Sequence, residues 1–207
     1  MKISQKIKGI ISLVIAALLL EGCGGVEPEK REYPLALAWD YEDGEYKVIY
    51  GMADLQEMTK QGKEGEDTPA GLEVRGGSLE EIQEGYAKTQ QYYLDLGHVQ
   101  AVIFSQRLLD QPRAYQHIVE GMQESPEVGK NAYVFVTDSL EEVMKAGELK
   151  EDSLGEYLTG IYENQMDVRE DGVTLEDIYF EWNNEGRIMN PPQLKVEEGQ
   201  VVLCENL

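Results

Sequence analysis

Cysteine is nearly absent from this 207-residue chain, which has only Cys23 and Cys204. A site built from several thiolates, a zinc site included, is therefore excluded, and no more than one disulfide could form. Histidine is equally scarce: His98 and His117 are the only imidazoles available as bases or ligands. Basic residues are few, with 18 Lys and Arg against 40 Asp and Glu, a net charge of −22. Such a field repels phosphate backbones and anionic headgroups, which argues against nucleic-acid binding and against membrane attachment through surface charge. There is no Gly-x-Ser-x-Gly elbow, no His-Glu-x-x-His and no glycine-rich loop ending in Lys-Ser or Lys-Thr. The apolar run from Ile10 to Leu20, interrupted by Ser12, covers 11 residues, well short of the roughly 20 a bilayer-spanning helix needs.

What the first two dozen residues do contain is a leader. Lys2, Lys6 and Lys8 give a positive start and Ile10 to Leu20 an apolar centre, the n- and h-regions of a secretory signal. The run ends in Leu20-Glu21-Gly22-Cys23, which resembles the bacterial lipobox: an apolar residue at −3 and a small one at −1 before a cysteine. That resemblance implies that the Cys23 thiol takes a diacylglycerol and becomes the new N-terminus, with residues 1–22 removed as a signal peptide. Two acyl chains anchor stably because each buried methylene contributes about 0.8 kcal/mol. A lipidated Cys23 would leave Cys204 unpaired; the alternative is a Cys23–Cys204 bridge in an oxidising compartment. Residues 23–32, small and polar at first, read as a flexible tether, and residues 33–207 as a single domain. Removing 1–22 takes Lys2, Lys6, Lys8 and Glu21 with it. The remainder holds 15 of the 18 basic and 39 of the 40 acidic residues, a net −24.

Hydrophobic residues make up 42% of the chain, enough for a packed core. Leu35 to Ala38, then Asp43-Gly44, then alternating Tyr46, Val48, Tyr50 and Met52 predict two strands around a tight turn. Residues 56–71 read as an exposed loop, and Leu72 to Arg75 as a strand. Ser78 with Glu81 forms a capping-box pattern opening a helix that the spacing of Leu79, Ile82, Tyr86 and Tyr93 extends to about Leu94. Val99 to Phe104 and Asn131 to Thr137 predict buried strands. Pro112 opens a helix with Tyr115, Ile118, Val119 and Met122 on one face. Helices follow over 139–146, 153–166 and 174–182, the last capped by Thr174 with Asp177 and stopped by Pro191-Pro192. A hairpin around Glu198-Gly199 closes the chain. This order predicts an α/β fold: a mixed β-sheet with flanking helices and antiparallel hairpins near both ends.

Chemistry is thin along this path. Gly76-Gly77-Ser78 enters a helix and could cradle an anion on free amides, but Glu80 and Glu81 already occupy that end of the dipole, so a cap is the better reading. Residues 167–178 superficially follow a calcium loop, yet Arg169 and Ile178 stand where ligands are required. Glu141-Glu142 and other carboxylates read as solvated helix faces. No cofactor and no metal are implied, and no catalytic residue emerges.

Three stretches resemble the N-terminal domain of the Ger(x)C family, the lipoprotein C subunits of spore germinant receptors. One runs from Gly77-Ser78-Leu79-Glu80-Glu81-Ile82 through Tyr92-Tyr93-Leu94 to Gly97-His98-Val99 and Val102-Ile103-Phe104. The second is Asn131-Ala132-Tyr133-Val134-Phe135-Val136 with Leu140-Glu141-Glu142-Val143-Met144 after it. The third is the tail from Thr174 to Leu203. The resemblance implies a non-enzymatic subunit or scaffold of a germinant receptor complex. Its partners would be the lipid bilayer, through a diacylglyceryl anchor on Cys23, and the receptor's other membrane subunits. It would sit on the outer face of the cell membrane or of the inner spore membrane. Gly97, His98 and Asn131 are the family-motif positions, with structural roles expected: a positive-φ turn at Gly97 and a strand-entry cap at His98. A stand-alone solute-binding lipoprotein is the alternative function, and a hydrolase using an unrecognised carboxylate pair a third.

Overall fold

The computed structural model describes residues 27–52, 71–125, 127–148, 153–163 and 172–204. The chain divides into two compact units, Met1–Lys30 and Arg31–Leu207. Of the first, residues 27–30 are described: a single 3-10 turn, Pro28–Lys30, with Lys30 paired to Glu27 at 2.7 Å. The expected signal peptide, Cys23 and the loop at 56–70 lie outside the described residues. Among those described, no helix is long and apolar enough to cross a membrane.

The second unit is built on a seven-stranded mixed sheet. A hairpin opens it, β2 (Pro34–Glu42) and β3 (Glu45–Met52), turning through Asp43 and Gly44, both with positive φ as a two-residue type I′ turn requires. Strand β4 (Leu72–Gly76) continues antiparallel to β3. The parallel strands β6 (Ala101–Ser105) and β7 (Tyr133–Thr137) then add beside β2, followed by β8 (Gln193–Glu197) and its hairpin partner β9 (Gln200–Leu203). The order across the sheet is β4-β3-β2-β6-β7-β8-β9. The second hairpin also turns through two left-handed residues, Glu198 and Gly199. The α/β class, the mixed sheet and both hairpins agree with the sequence. A separate two-stranded pairing joins β1 (Arg31–Glu32) in parallel to β5 (Tyr93–Leu94).

Helices cover both faces, because the strands carry apolar side chains on both. On one face Leu37, Trp39, Val48, Tyr50, Val102, Phe104, Val134 and Val136 pack beneath α1 (Leu79–Thr89), α2 (Gln106–Leu109), α3 (Pro112–Glu124) and α6 (Leu175–Glu185). On the other, Ala36, Ala38, Ile49, Ala101, Ile103 and Phe135 pack beneath α4 (Leu140–Glu148) and α5 (Leu154–Glu163). The small alanines on this second face let α5 come close: a Cβ at Gly155 would overlap the backbone carbonyl of Leu35.

Two helix ends are set differently from expectation. Helix α1 ends at Thr89, not Leu94. The Thr89 hydroxyl donates to the Gly85 and Tyr86 carbonyls, Gln90 leaves helical geometry, and Tyr93 and Leu94 satisfy their backbone on β1 instead. Its N-terminus is capped by Ser78 as foreseen, but the Glu81 carboxylate accepts from Gly77 N–H at 2.8 Å, one residue beyond the usual box. Helix α6 has the complete Thr174–Asp177 box, yet Gly186 in the left-handed region ends it (φ 61°), well before Pro191. The end foreseen at Met166 for α5 lies outside the described residues. Cys204 has a free thiol and is half-buried.

Replacing Gly155 by alanine should destabilise the fold by about 1–3 kcal/mol, since the backbone of Leu35 must move to make room. Urea unfolding followed by far-UV circular dichroism would measure it; an unchanged midpoint would mean that the α5–β2 approach is looser than described.

Candidate functional site

In open α/β sheets the natural place for a site is the carboxyl end of parallel strands where the strand order reverses. Here that place lies between β2 and β6, on the α4 side. It holds a cluster of charges formed by Asp40, Lys47, Ser105, Arg107, Glu42 and Glu141. Asp40 and Lys47 stand directly opposite each other across the β2–β3 hairpin, at 0% and 2% exposure. The Lys47 ammonium lies 3.3 Å from Asp40 Oδ2 and also donates to Glu141 Oε1, from the first turn of α4. Ser105, at the end of β6, donates to Asp40 Oδ1 at 2.5 Å and accepts from Leu108 N–H at 3.0 Å, thereby capping α2. Arg107, the second residue of α2, forks onto both Asp40 oxygens and reaches Glu42 Oε1 at 2.6 Å.

Burial alone would raise the Asp40 pKa. The hydrogen bonds from Ser105 and Arg107, with the nearby Arg107 and Lys47 charges, outweigh it and hold the carboxyl below the usual carboxylate range. Burial likewise works against the Lys47 ammonium, but Glu141 and Asp40 raise its pKa above the ordinary lysine value. Glu141 is also lowered, with Lys47 outweighing its burial. A hydrolytic carboxylate pair needs one member held protonated near neutral pH; these carboxylates are driven to stay ionised, each against a cation. The arrangement is suited to locking five elements together. The reading of Glu141 as simply solvated is corrected: its chain is 57% exposed, but its oxygen closes a buried ion pair.

The sequence-derived motif residues gather at the opposite, amino-terminal ends of β6 and β7. Gly97, His98 and Asn131 line one polar pocket of about 340 Å³, together with Gln100, Tyr133, Thr159 and Glu163. Gly97 is not in the left-handed region, so the expected positive-φ turn is absent. It sits within the 3-10 turn Leu96–His98, its N–H donating to Asp95 Oδ1 at 3.1 Å. Arg31, 2.5 Å from Asp95, holds that carboxyl below the usual range and so fixes the turn's cap. His98 does stand at the strand entry, edge-on to Tyr33 with ring centroids 4.8 Å apart, its side chain 60% exposed. Asn131 folds its Oδ1 back over Gly129, where an added Cβ would lie 2.7 Å away. The Thr159 hydroxyl, from α5, is buried against this region without a hydrogen-bond partner among the described residues.

The remaining candidates stay separate. His117 Nδ1, on α3, faces the Tyr46 hydroxyl at 3.3 Å. Among the described residues no three His, Cys, Asp or Glu side chains are grouped to hold a metal ion. Residues 167–171 of the calcium-loop segment, and Cys23, lie outside the described residues. The charge cluster itself was invisible as a site in the sequence; the one available signal was Lys47 inside an otherwise apolar strand.

Replacing Asp40 by asparagine should cost about 3 kcal/mol at neutral pH, because it leaves the buried Lys47, and the half-exposed Arg107 beside it, short of a counter-charge. Asp40 has a lower pKa folded than unfolded, so its contribution is complete above about pH 4 and disappears as pH falls through the lower folded value. Urea midpoints should therefore differ most between the two proteins at pH 6–8 and converge below pH 4. A gap independent of pH would show that the carboxylate's charge is not what is lost.

The sequence model for the family described as spore germination protein N-terminal domain matches residues 24–195. That span takes in the hairpin, the charge cluster, the motif pocket and all the described helices. No curated protein and no solved structure matches the chain. With nearly the whole of the folded body inside the match, the chain belongs to the Ger(x)C family of spore germination proteins, of which this fold is the N-terminal domain.

Proposed function

We propose that this protein is a membrane-anchored, extracytoplasmic and non-enzymatic subunit of a spore germinant receptor, tethered through a diacylglyceryl group on Cys23. The observation that carries the reading is the family match itself, which begins at residue 24, immediately after the cysteine at which processing would create the mature N-terminus. The leader of Lys2, Lys6 and Lys8 followed by an apolar run and Leu20-Glu21-Gly22-Cys23 supports export and lipidation. The net −24 of the mature chain supports an apolar anchor, since charge would repel the body from an anionic leaflet. The carboxylates of the buried cluster are held ionised, which supports a structural role there over acid–base chemistry. In this reading the domain is held close to the bilayer as a scaffold and meets the receptor's membrane-embedded subunits there.

In the sporulating host, replacement of Cys23 by alanine should release the protein from the membrane fraction and abolish incorporation of labelled fatty acid. It should also blunt the germination response to the same degree as deletion of the gene. Mass spectrometry of the wild-type protein should show residues 1–22 removed and acyl groups carried on Cys23. Full-length mass with a free thiol, or a germination response unaffected by deletion, would overturn the proposal.

A further inference from the structure

The early end of α1 leaves an opening that nothing described so far uses. After Thr89 the chain turns back through 90–96, and this segment borders a pocket of about 460 Å³ between α1 and the C-terminal half of α3. The size falls within the range of small-molecule sites. Its floor is the sheet, with Leu37, Trp39 and Tyr50; α1 adds Ile82 and Tyr86, and α3 adds Met122. The segment that borders it is fastened on two sides. Tyr86 donates to Glu32 on β1 at 2.7 Å, and Arg31 pairs with Asp95 at 2.5 Å.

Two features define what would fit. Among the described residues, no lysine, arginine or histidine lines the pocket, and its one ionisable carboxylate is Glu127. The surrounding charge is strongly negative, so an anion has nothing to meet. Trp39, 6% exposed, contributes to the apolar wall beside Leu37 and Tyr50.

We propose that this pocket is a binding site for a neutral, largely apolar small molecule. Leu37, Tyr50, Ile82 and Met122 supply the apolar contact, and the glutamines Gln83, Gln90 and Gln91 give the mouth its polarity without adding charge. The proposal stands apart from the anchoring of Cys23 and survives if that anchor is absent.

The test uses the full chain and the neutral ketone fluorophore Prodan, with the sulfonate 1-anilinonaphthalene-8-sulfonate for comparison. Prodan should bind saturably at one equivalent with a blue-shifted emission, and the sulfonate should bind more weakly. Ala87, exposed on α1 and bordering the pocket, gives a filling variant that removes nothing from the core: Ala87→Phe should abolish the binding. Should that variant fail to fold, displacement of Prodan from the unmodified chain by acetophenone but not by benzoate carries the test. Absence of saturable binding, binding that survives Ala87→Phe in a folded protein, or preference for the sulfonate or benzoate would each overturn the proposal.

Discussion

A carboxylate taken fully out of water is the constraint around which this domain is arranged. Removing Asp40 from solvent costs several kcal/mol unless cations and donors replace the lost hydration. The replacements come from three separate parts of the chain, Lys47 from the hairpin partner, Ser105 from the end of β6 and Arg107 from α2, while Glu141 on α4 holds Lys47 in turn. None of these can slip without exposing the others. A one-residue slip of β3 would turn Lys47 away from Asp40 and bring a neighbouring apolar side chain onto it. An ion pair of this kind adds little net stability over an apolar filling of equal shape. Its effect is to make alternative registers costly.

The same physical logic explains what could be read in the sequence and what could not. Local signals were legible. Asp43-Gly44 and Glu198-Gly199 require left-handed residues, and both turns have them. Ser78 and Thr174 cap the helices they were expected to cap. Non-local competition was not legible. Tyr93 continues the helical spacing of Ile82 and Tyr86, but the free edge of β1 offers its backbone a partner that spacing alone does not reveal. Lys47 falls on the off-beat of Tyr46, Val48 and Tyr50, and alternation places it on the other face of the strand. In a sheet covered on both faces, that face is also interior. Gly186 ended α6 before Pro191 could, because a left-handed cap acts at the helix end itself.

The motif residues behave differently from both groups. Gly97, His98 and Asn131 are distant in sequence, and resemblance to a family picked them out as positions without saying what joins them. The fold places all three around one polar pocket at the amino ends of β6 and β7. Their individual geometry is that of a turn cap, a ring contact and a side chain folded over its neighbouring loop. Each therefore has a structural reason to be there, and the pocket is the consequence of two strand entries lying side by side in a parallel sheet.

The two ends and one face of the sheet consequently differ in what they can accept. The carboxyl end is closed by its own charges, which satisfy one another and leave no cation for an incoming anion. The amino end is polar and bounded by short loops. Among the described residues, the α1–α3 face combines depth with apolar walls. That combination arises from the competition the sequence hid: had α1 run on to Leu94, residues 90–94 would have continued along its axis, and the segment that borders the pocket would not have been available to β1. The local loss of a helical turn and the appearance of a small-molecule-sized cavity are thus one structural event, fixed by the pairing of Arg31 and Glu32 with Tyr93 and Leu94.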